Sequence, residues 1–277
     1  MTRRFGLFLD PVILQMVPSY RGLVVYVEGV ENFASDGWSV ALLRAAERRI
    51  AALPNPPALH PHMQAWASVY RRFGARPKLY KNGCLALASR GHVPPINGLV
   101  DLYNAVAMTH MLPIGGEDWD CLDSHLLRTT ALGHEEFVGN DANDTPEHPY
   151  PGEPIWLDRA GVTTRRFNWR QARRTCITLA TRAAYFVLDA VDPYSPEQLD
   201  SAAEALQRLI GERWPDARTR VGPLRSSDDG VAIVTATRAA LFSAPREWPL
   251  AGVMPDLHLG SDAIDAARQP QPRLQHR

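Results

Sequence analysis

Lysine is nearly absent from this chain: Lys78 and Lys81 are the only two. Cysteine is scarce as well. Cys84, Cys121 and Cys176 are odd in number and form no C-x-x-C pair. That argues against a disulfide framework or a zinc site and suits a reducing, cytoplasmic setting. No metal and no cofactor is expected. No apolar run approaches the ~18 residues of a membrane helix. Asp10, Pro11 and Pro18 cut the N-terminal apolar runs before a signal-peptide core can form. Net charge is also missing: 30 basic and 30 acidic residues cancel, so no whole-molecule field draws the chain to nucleic acid or membrane. One absence is local. Between Arg159 and Arg182 there is no Asp or Glu, yet there are seven arginines. The preceding residues, 117–158, reverse this with eleven acids and one base, Arg128.

The 277 residues, 45% apolar and 22% charged, suit a soluble globular protein with a sizeable core. Residues 12–16 and 23–27 are β-branched runs that predict strands. Helical spacing of apolar residues predicts helices over 34–53, with Asp36 as N-cap, 63–73, 84–90 and 97–111. Later runs predict strands over 124–130, 155–158, 162–167, 175–181, 184–191 and 231–237. A helix over 195–213 opens with Ser195, Pro196 and Gln198. The order is helices, then mainly antiparallel sheet, then a closing helix, an α+β arrangement. A single domain over 1–240 is expected, with a C-terminal extension over 241–277 that is partly disordered. His60 and His62 flank Pro61 at a helix entry, a better reading than a metal pair. Cys176 reads as a small buried hydrophobe.

Four segments stand out in order: Lys78 in RPKLYKNG, PPINGLVDLYNAVAM (94–108), LPIGGEDWD (112–120) and RRFNWRQARRTCIT (165–178). Together they resemble the B3/B4 domain of the bacterial phenylalanyl-tRNA synthetase β subunit, and more closely its free-standing relatives. The resemblance spans about residues 12–213. It implies an α+β domain with a mainly antiparallel sheet flanked by helices. It also implies a trans-acting, cytoplasmic aminoacyl-tRNA deacylase whose partner is the tRNA 3′ end with its amino-acid moiety, not DNA or membrane. Three positions depart from the synthetase pattern. Its Thr-Asn pair reads Tyr103-Asn104 here, its histidine falls on Gly115, and the acid expected after Lys78 is replaced at Asn82-Gly83-Cys84. The synthetase's amino-acid specificity is therefore not carried over.

Ester hydrolysis on a terminal adenosine needs a held water, donors for an oxyanion and cations for phosphates. No Ser-His-Asp or Cys-His set is evident, so a water mechanism is expected. Asn104, Asn168, Arg170 and Thr175 are the candidate catalytic residues. Lys78, Asp101, Gly115, Gly116, Arg166, Gln171, Arg174 and Thr178 are the candidate substrate-binding residues. Strand alternation would put Arg166, Asn168 and Arg170 on one face, across a cleft from Asn104 on the 97–111 helix. The bland alternatives are specific too. The arginines can pair with the acids of 117–158, and Asp101 can cap a loop. Two other functions stay open: a non-catalytic tRNA- or RNA-binding module, and a pocket for a free amino acid or metabolite.

Overall fold

A computed structural model describes residues 6–73, 92–140 and 145–224, all within one compact unit. The apolar run LVVYV lies in β2 (Arg21–Glu28), the second strand after β1 (Leu7–Leu9). It pairs antiparallel with β8 (Ala183–Ala190) on one side and β9 (Arg218–Pro223) on the other. With β3 (Ile114–Asp118) these make a four-stranded sheet, order β3-β8-β2-β9. A second sheet has the order β1-β4-β5-β6-β7, with β4 at Leu126–Thr130, β5 at Pro154–Asp158, β6 at Gly161–Arg165 and β7 at Arg170–Gln171. Among the described residues only the β1–β4 pair is parallel. The fold is α+β.

Alternation along β2 and β8 assigns the two faces of the four-stranded sheet. Leu23, Val25, Val27, Phe186 and Leu188 pack against α4 (Gly98–His110) and α5 (Pro196–Arg213). Val24, Tyr26, Tyr185 and Val187 face the five-stranded sheet, through Leu7, Leu126, Trp156 and Phe167. Trp66, Val69 and Tyr70 of α3 (Pro61–Arg72) close this second core. Helix α2 (Gly37–Ala51) packs on α4 through Leu43, Ala46, Ala105 and Met108.

The helix signals are realised at the atomic level. The Asp36 carboxylate accepts from Trp38 N and Ser39 N, both at 3.0 Å. Ser195 and Gln198 form the reciprocal cap of α5 at 3.2 and 2.8 Å. Two expected strands are not strands. Residues 11–16 are helix α1 (Pro11–Met16), because Asp10 caps Val12 N at 3.0 Å and Pro11 sits at the first position. Residues 175–181 follow a 3-10 turn at Arg173–Thr175 and close a second turn. There Thr178 N donates to Thr181 Oγ1 at 2.9 Å and Thr181 N to Thr178 O at 3.1 Å. Threonine hydroxyls that bond locally offset strand propensity. Strands also precede and follow the helices, so the expected order of helices, then sheet, is replaced by interleaving. The expected helix over 84–90 and strand over 231–237 lie outside the described residues, as does the 241–277 extension. Among the described residues no helix is long and apolar enough to cross a membrane.

One ion pair ties the two sheets together. Arg128 of β4 reaches Asp189 of β8, with Nη1 2.5 Å from Oδ1 and Nη2 3.3 Å from Oδ2. Both side chains are fully buried. The Tyr20 hydroxyl donates to Asp189 Oδ1 at 2.6 Å and accepts from Arg128. The guanidinium also lies 4.5 Å from the Trp156 ring centroid and 5.1 Å from that of Phe167, a favourable cation–π setting.

Removing one member of a buried pair leaves an uncompensated charge, at about 3–5 kcal/mol. Asp189→Ala is expected to lower the unfolding free energy by that amount in a urea titration. The double variant Arg128→Met, Asp189→Leu is expected to lose clearly less. A second expectation concerns His62, which is buried. Its Nδ1–H donates to Met111 O at 3.0 Å, while Nε2 accepts from Trp66 Nε1 at 3.0 Å. Burial pushes its pKa down to about 4, the Met111 carbonyl opposing this in part. The unfolded chain, with histidine near 6.5, binds this proton first. Stability is therefore full above about pH 6.5 and falls as pH drops toward 4, by about 3 kcal/mol for this group. Urea midpoints measured between pH 7 and 4 should show the fall, and His62→Gln should flatten it.

Candidate functional site

Most of the arginine row is neutralised within the fold. Arg165 holds Glu153 in a fork at 2.7 and 3.0 Å and reaches Glu147 at 3.0 Å. Arg170 holds Glu147 at 2.6 and 2.7 Å, and this pair draws the Glu147 carboxyl below its usual range. Arg166 lies 3.3 Å from Glu153, Arg159 2.7 Å from Asp123, and Arg174 grips Asp158, with one contact at 3.0 Å. Arg174 also donates to Gly161 O at 3.1 Å. Asp123, Glu147, Glu153 and Asp158 thus fold back onto the arginines that follow them. Arg165 and Arg170 further flank the Phe137 ring at 5.4 and 5.3 Å.

The expected strand over 162–167 ends at Arg165. Arg166 and Phe167 adopt left-handed backbone, φ 55° and 64°, and turn the chain into β7. Left-handed conformations cost roughly 1–2 kcal/mol per non-glycine residue. Here the turn drives Phe167, 1% exposed, into the core against Trp66 and Tyr20. Strand alternation therefore does not apply across 166–170. Arg166 and Arg170 go to the glutamates, whereas Asn168 points between the sheets and donates to Asp189 Oδ2 at 3.0 Å.

A small cavity lies there. Its half-buried mouth is Gly115, Asn168 and Gln171, and its buried wall includes Glu117, Arg128, Trp156, Thr164 and Tyr185. The free space is roughly that of one water molecule. A Cβ on Gly115 would sit 2.8 Å from Asn168 Cβ, so glycine is required for this approach. Gln171 Nε2 donates to Gly116 O at 2.7 Å, which fixes the amide at the mouth. A Cβ on Gly116 would meet Phe186 at 2.6 Å, a packing reason for the second glycine. Below the mouth, Glu117 accepts from the Thr164 and Tyr185 hydroxyls. Burial raises its pKa, and the Thr164, Tyr185 and Thr163 hydroxyls with the Arg174 charge offset this only in part.

The candidate residues divide accordingly. Gly115, Asn168 and Gln171 come together, with Gly116 linked through its carbonyl. Asn104 does not join them. It is buried on α4, whose apolar side packs on the opposite face of the four-stranded sheet. The cleft expected between this helix and Asn168 is therefore filled by the sheet itself. Asp101, also on α4, is fully buried and accepts from Ser39 Oγ and Ile96 N, both at 2.8 Å. It caps a loop and joins α2 to α4. Arg166, Arg170 and Arg174 are engaged with acids. Thr175 is fully buried, and its hydroxyl has no hydrogen-bond partner. Thr178 is exposed in the turn, where Asn32 Nδ2 donates to its carbonyl at 2.8 Å. Lys78 and Cys84 lie outside the described residues. Cys176 is buried, its pKa pushed up to about 11 by burial and then by Glu117.

Sequence reasoning missed Glu117, Arg128, Asp189, Tyr20 and Tyr185. Glu117 and Arg128 carried a readable signal: an acid beside two glycines, and the lone base in an acidic segment. Asp189 carried one too, as an acid inside an apolar strand. The tyrosines carried none.

Comparison with known proteins gives one family. The B3/4 domain profile matches residues 65–212, more than half of the chain. No curated protein sequence matches. Among solved structures, an N-terminal fragment of the phenylalanyl-tRNA synthetase β-subunit from Pyrococcus horikoshii is similar at 12% identity and a TM-score of 0.46. That alignment covers 79% of this chain and 51% of the fragment, so the chain spans about half of the fragment's length. On the extent of the profile match, the chain belongs to the B3/4 domain family.

Proposed function

We propose that this protein is an aminoacyl-tRNA deacylase acting in trans, which hydrolyses the ester of a misacylated tRNA by a water mechanism at the mouth of the inter-sheet cavity. The motif resemblance to the synthetase's editing domain supplies the substrate class, and family membership agrees with it. The observation that carries the reading is the convergence of Asn168 and Gln171 at Gly115, over a space that fits one water. Each amide nitrogen carries two N–H groups and spends one, on Asp189 and on the Gly116 carbonyl respectively. The second N–H of each is a donor for the oxyanion that forms when water attacks the ester carbonyl. Asp189 and the Gly116 carbonyl hold these donors in place, so little reorganisation accompanies the charge.

The space is far below the ~300–1,000 Å³ of sites that enclose a ligand. The aminoacyl-adenosine therefore lies across the mouth, with only its carbonyl and the water at the cavity. A second reading, a site for a free amino acid or related metabolite, is favoured by one observation. Five arginines of the row already hold acids, which leaves little surplus charge for a large RNA footprint.

Incubation with a panel of mischarged tRNAs tests the proposal. Release of amino acid from at least one, above the buffer rate, is expected, and no release from any would overturn it. Amino-acid binding by calorimetry with no turnover of any tRNA would favour the second reading. Loss of one oxyanion donor typically costs ~10²–10³ in rate, so Asn168→Ala should lower turnover by about that factor. Gly115→Ala, which closes the mouth, should lower it as well. Arg170→Ala is expected to leave turnover within about threefold of wild type and to lower thermal stability instead, since it removes one of the two arginines that hold Glu147.

A further inference from the structure

Glu117 differs from the other buried acids in its surroundings. Asp189 is held by Arg128, Glu153 by Arg165 and Arg166, Asp158 by Arg174 and Glu47 by Arg44. Asp101 and Asp118 are satisfied by hydroxyl and backbone donors away from the cavity wall. Glu117 is 2% exposed, lines the cavity and accepts from two neutral hydroxyls, those of Thr164 and Tyr185. No salt bridge to it is present among the described residues. Each carboxylate oxygen has two lone pairs, so one hydrogen bond on each leaves capacity for a water. Glu117, Asn168 and Gln171 all line the water-sized space.

We propose that Glu117 is the general base of the hydrolysis assigned above. This assignment rests on that reading. The carboxylate takes a proton from the cavity water as the water oxygen bonds to the ester carbonyl carbon. The oxyanion is held by the Asn168 and Gln171 amides. As the intermediate collapses, the bond from carbonyl carbon to ribose oxygen breaks, and Glu117 returns the proton to that oxygen. The free amino acid and a tRNA with an intact terminal hydroxyl result, and Glu117 is again a carboxylate. Positive groups near it are held by other acids, although the Arg174 charge still lowers its pKa in part. Arg174, in the turn after β7, is bound by Asp158, and Arg128 of β4 by Asp189. The facing titratable groups, Tyr185 of β8 and Cys176 after the 3-10 turn, are both pushed upward by burial and by Glu117, so they stay neutral through the working range. Burial likewise raises the Glu117 carboxyl, which moves a weak base toward neutral pH, where a general base is most effective.

The pH–rate profile of the full chain on a mischarged tRNA, with two variants, tests this. Wild type should show an acidic limb, with turnover rising as Glu117 loses its proton. Glu117→Gln keeps the size of the side chain. It should lower turnover by ~10²–10⁴-fold, flatten the acidic limb and leave binding of a non-hydrolysable aminoacyl-tRNA analogue within about threefold. Tyr185→Phe removes a hydrogen bond that favours the charged carboxylate, so it should move the limb to higher pH. A merely structural role for Glu117 would not produce that shift. Active wild type with an unchanged rate and profile in Glu117→Gln would overturn the base assignment alone. Active wild type with an unmoved limb in Tyr185→Phe would do the same. Wild type inactive on every mischarged tRNA would overturn the deacylase reading, and the assignment with it.

Discussion

The buried Arg128–Asp189 pair is the constraint on which the rest depends. It joins two sheets that face each other across an apolar layer, and both of its side chains are fully buried. An ion pair in that position gains little net stability over an apolar packing. What it does here is fix geometry. Asp189 accepts from Arg128, Tyr20 and Asn168 at once, so the sheets, the α1–β2 connection and the turn after β6 are positioned by one carboxylate. The amide of Asn168 stands at the cavity mouth because of this anchor. Gly115 lets the turn approach β3 closely, and Phe167 fills the volume beneath.

A second layer of charge organisation lies outside this centre. The acidic and basic segments adjacent in sequence become partners in space, because the chain folds back along β5, β6 and β7. Glu147 and Glu153 latch the loop between β4 and β5 onto the arginines of β6 and β7. This explains how the segment from Arg159 to Arg182 carries five of its seven arginines without acids of its own: the negative charge is supplied by the segment before it. In the proposed hydrolysis the roles fall instead to the neutral amides of Asn168 and Gln171, with Glu117 behind them.

Much of the architecture was legible in the sequence. Helices α2 to α5 were readable from apolar spacing and from caps such as Asp36 and Ser195, and β2, β5 and β8 from their β-branched runs. What misled was local chemistry. Asp10 and Pro11 convert a β-branched run into a helix, and threonine hydroxyls convert 175–181 into turns. The glycines of β3 hide a strand, since a Gly-Gly pair is a poor strand former until close packing demands it. The site was half legible. Asn168, Gln171 and Gly115 were named, but the period-two rule misplaced Arg166 and Arg170, because two left-handed residues interrupt it. Asn104 was misplaced for a different reason. A helix near a sheet in sequence says nothing about which face it covers. The inter-sheet network was illegible because Tyr20, Arg128 and Asp189 come from distant parts of the chain and are united only by topology.

The cavity mouth as the place of ester recognition is tested most directly by structure determination with a non-hydrolysable 3′-aminoacyl-adenosine analogue. The account predicts the analogue's carbonyl group within hydrogen-bond distance of the Asn168 and Gln171 amides, above Glu117. An analogue seated beside Asn104 on the helical face of the four-stranded sheet, with the mouth unaltered, would contradict it.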